Sequence, residues 1–126
     1  MTAKEFVVWV QGTPIQGYTD AEVRDKAKWM QCGRGLMRKL AKELGLQSHE
    51  YKVRTNPAGP ACSGDIHLHA DWVYVALEQS CMPGVFMWRY CDGQKDYTGR
   101  NNQWVRWEIL LDLPAFAKMI RDGRPR

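Results

Sequence analysis

Between Thr19 and Gly45 apolar residues recur at helical spacing, and this stretch limits the possible folds more than any other. Val23, Ala27, Met30, Met37, Leu40 and Leu44 recur at three- and four-residue steps, with one turn skipped, and so fall on one side of a helix. Thr19-Asp20-Ala21-Glu22 has the form of a capping box, in which the threonine oxygen takes a free amide and the glutamate reaches back. Gly45 fits the C-terminal stop. Gly33 and Gly35 fall mid-helix, where they predict a kink, a split into two helices, or close approach by another backbone. A helix with one apolar stripe must bury it against a second layer.

The second layer reads as a sheet. Residues 6–10 (Phe-Val-Val-Trp-Val) are β-branched and aromatic and stop at a Gly-Thr-Pro turn, which predicts a first strand. Residues 51–54 predict a short strand, and 56–60 a loop. Along 66–75, Ile66, Leu68, Ala70, Trp72 and Tyr74 alternate with His67, His69, Asp71, Val73 and Val75, which predicts one strand crossing the sheet centre. Strands follow at 85–90 and 104–110. Asp112 and Pro114 suit the cap and first turn of a last helix, with Phe116, Met119 and Ile120 inward and 122–126 as a frayed basic tail. The expectation is an α+β fold. It has an antiparallel sheet of about four to five strands, with one long N-terminal helix and one short C-terminal helix packed on it. The 126 residues suit a single domain, 1–126.

Composition bears on function only weakly. A net charge of +4 favours an anionic partner or simply keeps the surface soluble. Six tryptophans imply an aromatic core, an aromatic binding face, or both. The sequence has no Walker loop, no Gly-x-Gly-x-x-Gly and no Gly-x-Ser-x-Gly. Its first apolar run is far shorter than the ~20 residues of a membrane span. Cys32, Cys62, Cys81 and Cys91 form no Cys-x-x-Cys pair. Together these predict a cytoplasmic protein with reduced thiols and no membrane partner, although a Cys81–Cys91 bridge across a hairpin is geometrically allowed.

Three stretches carry candidate chemistry. The 92–103 loop is long for a hairpin, and Lys95, Tyr97, Arg100, Asn101 and Asn102 suit phosphate contact, base stacking and base-edge hydrogen bonds. Arg89 and Arg106 flank it and extend the positive surface. The competing reading is a solvated excursion. Second, Arg24, Lys28, Gln31, Arg38 and Lys42 lie opposite the apolar stripe and suit a phosphate backbone, or make an ordinary wet helix face. Third, on one continuous strand His67, His69 and Asp71 share a side and make a credible metal-ligand set. That string is similar to the His-x-His-x-Asp motif of metallo-β-lactamase-like hydrolases and to the Asp-x-His-x-His stretch of amidohydrolases. The likeness is confined to 64–71, both families need further histidines, and only His49 remains, so neither assignment follows.

The sequence therefore favours a small, basic, non-enzymatic binding module without a cofactor. Its expected partner is nucleic acid or an acidic protein surface, such as that of a nucleic-acid-acting protein. The alternative is a small metal-dependent hydrolase holding Zn or Mn on His67, His69 and Asp71.

Overall fold

The Thr19 hydroxyl accepts from the Glu22 amide at 3.1 Å and the Glu22 carboxylate accepts from the Thr19 amide at 3.0 Å, so the capping box forms as its residues dictate. In the computed structural model, which describes residues 1–80 and 82–125, this box opens helix α2 (Asp20–Glu43). Ahead of it lies helix α1 (Ala3–Gly12). Five strands follow: β1 (Tyr51–Asn56), β2 (Asp65–Ala70), β3 (Val73–Leu77), β4 (Val85–Tyr90) and β5 (Gln103–Arg106). Helix α3 (Leu113–Asp122) comes last, with short 3-10 turns at Ser48–Glu50 and Trp107–Leu111. The strands pair antiparallel in sequence order, β1-β2-β3-β4-β5.

The helices cover one face of the sheet. Ile66, Leu68, Ala70, Val73, Val75, Leu77, Phe86 and Trp88 point into a core shared with Phe6, Trp29, Met37, Leu40, Phe116 and Ile120. Phe6 lies flat on Trp29, with ring centroids 5.0 Å apart. Gly33 makes this approach possible: a Cβ there would sit 2.3 Å from Ile66 Cδ1. Its close neighbours are side chains rather than backbone, and α2 runs unbroken through both glycines. Asp112 caps α3 by accepting from the Ala115 amide at 3.2 Å.

Five expectations need correction. Residues 6–10 are helical, because a second capping box, Thr2 with Glu5, starts α1 and burial of Phe6, Val7 and Val10 on one side outweighs their β propensity. Residues 66–75 are two strands, since the chain reverses at Asp71-Trp72 and Ala70 and Val73 end adjacent strands. The strand at 104–110 stops at Arg106 and tightens into the 3-10 turn. Three residues expected inside face solvent: on α2 Val23 and Ala27, whose places in the buried stripe Lys26 and Trp29 take, and on α3 Met119, 43% exposed, where Leu113 and Ala117 complete the buried side instead. The tail is not frayed at Arg124, whose guanidinium lies 4.0 Å over the Trp72 ring. Cys81 lies outside the described residues, and the bridge proposed for it with Cys91 lies there too. Among the described residues no helix is long and apolar enough to cross a membrane.

Candidate functional site

In an antiparallel pair, directly opposed residues share a face. The register therefore defines what stands on the side of the sheet that carries no helix. One row runs across all five strands: Arg54, His67, Ala76, Met87 and Trp104. At roughly 4.8 Å between strands, this row is about 19 Å long. The neighbouring row is Lys52, His69, Tyr74 and Arg89. Val85 and Arg106 are paired on the same face, one step beyond Met87 and Trp104.

The 92–102 loop folds over one end of this face and is held there by its own acid. Asp96 Oδ1 accepts from the Thr98 amide (3.1 Å), the Thr98 hydroxyl (2.9 Å) and the Gly99 amide (2.9 Å), while Oδ2 accepts from the Asp92 amide (2.9 Å). The Gly99 and Asp92 amides, with the Thr98 hydroxyl, hold the Asp96 carboxyl well below the usual carboxylate range. The Gln94 amide donates to His49 O (3.0 Å) and to Asp71 Oδ1 (2.9 Å), anchoring the loop to the next turn. His69 donates from Nε2 to Gly93 O at 3.0 Å, and burial holds its imidazole below the ordinary histidine range.

Arg89 supports the loop from beneath. Its Nη2 donates to Tyr97 O (2.7 Å) and its Nη1 to Asn102 Oδ1 (3.4 Å), and its guanidinium lies 4.7 Å over the Tyr74 ring. The Arg89 Nε is buried with no hydrogen-bond partner among the described residues. Arg89 thus positions the loop, and only part of its guanidinium remains for a ligand. Above it Tyr97 is 62% exposed and stands edge-on to His69, 5.3 Å between ring centroids. Lys95, Arg100 and Asn101 are exposed on the loop, with Arg100 Nη2 3.5 Å from Asp92 Oδ1. Arg106 is open to solvent at the far edge, 4.0 Å from Glu108.

At the centre of the face, His67 links Asp65 and Tyr74. A carboxylate only accepts, so Nε2 carries the proton toward Asp65 and Nδ1 accepts from the Tyr74 hydroxyl. Burial pushes the Tyr74 phenol up to about 12. Burial, reinforced by Asp65, also raises the Glu78 carboxyl.

The structure thus brings Lys95, Tyr97, Arg100, Asn101, Asn102, Arg89 and Arg106 to one side of the molecule. It does not bring Arg24, Lys28 and Arg38 with them: all three are exposed on α2, which packs on the opposite face of the sheet. The metal-ligand set also comes apart. Asp71 lies in the β2–β3 turn, its carboxylate takes the Gln94 amide, and His67 and His69 are engaged as described. Among the described residues no group of three His, Cys, Asp or Glu side chains is placed to hold a metal ion. Lys52, Arg54, Met87 and Trp104 were not visible as site residues from sequence. Each sits at an alternate position of its strand, and only the pairing register shows that they share a face. Comparison with known family models, with curated proteins and with solved structures returns no match.

Proposed function

We propose that this protein is a non-enzymatic nucleic-acid-binding module whose docking surface is the helix-free sheet face together with the 92–102 loop. The observation that carries the reading is the cross-strand row ending on Trp104, 43% exposed, beside a loop that presents Tyr97. An antiparallel sheet face with exposed rings is a platform on which unpaired bases stack, and cations around it meet the phosphates. Trp104 and Tyr97 supply the rings; Lys52, Arg54, Lys95, Arg100 and Arg106 supply the charge. Stacking needs bases freed from a duplex, so single strands are the favoured ligand.

The test is fluorescence anisotropy with labelled single-stranded and double-stranded oligonucleotides across a salt series. The reading expects single strands to bind more tightly, with log affinity falling linearly in log salt. Trp104→Ala removes one stacking surface, worth ~1–3 kcal/mol, so affinity drops about fivefold to roughly 150-fold. Replacing Arg24, Lys28 and Arg38 together leaves affinity within about twofold, because they lie across the fold. Absence of binding at low salt sinks the proposal and redirects the search to an acidic protein surface.

A further inference from the structure

Strand β1 is an edge strand. It is six residues long against four for β5, and among the described residues its outer row of backbone amides and carbonyls has no strand beside it. Its side chains alternate without exception: Tyr51, Val53 and Thr55 are half-buried toward α2, while Lys52, Arg54 and Asn56 are exposed on the opposite face. Beside the helix-facing side lies a groove of about 590 Å³, walled by Val23, Ala27 and Met30 of α2, by Thr55, and by Pro57 and Pro60, with Arg34 at its margin. This groove is prebuilt. The Lys26 ammonium donates to Pro57 O (2.6 Å), Cys62 O (2.7 Å) and Gly59 O (3.2 Å), and the Gly17 amide donates to Pro60 O (2.9 Å), which fixes its far wall.

We infer that this edge receives an extended acidic segment of a partner protein, which adds to the sheet as a sixth strand alongside β1. An added strand alternates its side chains as β1 does. Those turned toward the sheet's open face meet Lys52 and Arg54, and are acidic. Those turned toward α2 cover Val53 and Thr55 and enter the groove, and are apolar. The partner segment is therefore recognised by an acidic–apolar alternation. A second copy of β1 does not satisfy the same edge: antiparallel self-pairing centred on Val53 sets Lys52 directly against Arg54, and like charges there repel.

The probe is a labelled, end-capped peptide alternating glutamate and valine, compared with one alternating lysine and valine. The glutamate peptide should bind saturably, and the lysine peptide at least tenfold more weakly. Its binding should slow amide exchange at alternate residues of β1. The double variant Lys52→Glu/Arg54→Glu should reverse the preference between the two peptides. Ala27→Trp fills the groove from an exposed helix position, and should cost at least tenfold in glutamate-peptide affinity with the melting temperature unchanged. The same variant should leave oligonucleotide binding untouched, which separates this inference from the sheet-face reading. No saturable binding, equal binding of both peptides, or indifference to Ala27→Trp would each overturn it.

Discussion

Lys26 is 6% exposed, yet among the described residues it has no carboxylate partner; three loop carbonyls solvate its ammonium instead. Lys26→Met keeps the aliphatic stem and deletes those three bonds. Two are short, at 2.6 and 2.7 Å, and one is longer, at 3.2 Å. A hydrogen bond to a charged group contributes ~1.5–3 kcal/mol net. Two effects reduce the loss. Methionine carries no buried charge, so the several kcal/mol spent desolvating the ammonium is recovered in part. Pro57, Gly59 and Cys62 are exposed, so water reaches their carbonyls once the ammonium has gone. The balance is a destabilisation of about 2 kcal/mol. With a urea dependence of roughly 2 kcal/mol per molar for a domain this size, the unfolding midpoint should fall by about 1 M. Amide exchange should accelerate first in 57–62, where the tether acts. A midpoint within about 0.2 M of the parent would refute the reasoning, since the loop would then hold without its staple.

Three more expectations follow from the same geometry. Gly33→Ala gains up to ~1 kcal/mol in helix propensity but drives its Cβ into Ile66 Cδ1, an overpacking cost of ~1–3 kcal/mol; Ile66→Val removes that atom and should rescue the thermal melt of the double variant. Burial raises the Tyr74 phenol, so it should titrate near 12 by ultraviolet absorbance. Its raised folded value means the associated stability is full below about 10 and is lost as pH climbs toward 12. His69 is shifted the other way, so its contribution is full above about 6.5 and is lost as pH falls. His69→Gln keeps a donor for Gly93 O and should flatten the decline in melting temperature between neutral and mildly acidic pH.

The elements with a covalent or local cause were legible. Thr19 and Glu22 define the start of α2, Asp112 and Pro114 that of α3, and 85–90 matches β4 residue for residue. The same local logic was present at Thr2 and Glu5, but three β-branched valines in 6–10 drew the reading to a strand. The Asp71-Trp72 reversal has no glycine, proline or asparagine to mark it, so two strands looked like one. For the site, Tyr97, Lys95 and Arg100 stood out because a long loop between strands is visible in sequence. Trp104 and Arg54 did not, because only a pairing register spanning all five strands places them on one face. Lys26 was hidden for a different reason: a lysine on a helix reads as solvent-facing until the three carbonyls that solvate it are in place.

The sequence-ordered meander also bears on how the chain reaches its native state. Each strand pairs with the one next to it in sequence, so every sheet contact is a hairpin contact, with the β4–β5 loop the longest to close, and the sheet is expected to form by local closures. Helix α1 packs on its sequence neighbour α2 through Phe6 and Trp29, but it also reaches distant segments. Phe6 rests 6.2 Å from Trp107, the Gln11 amide reaches Glu108 at 2.8 Å, and Gln79 donates to Val10 O and Thr13 O at 2.8 Å each, so docking α1 joins segments far apart in sequence. On loop-closure grounds that docking is expected to be the late, long-range step that completes the core. Substitutions at Gln11 or Gln79 should accordingly speed unfolding while leaving the refolding rate nearly unchanged, whereas substitutions in the β2–β3 hairpin should slow refolding.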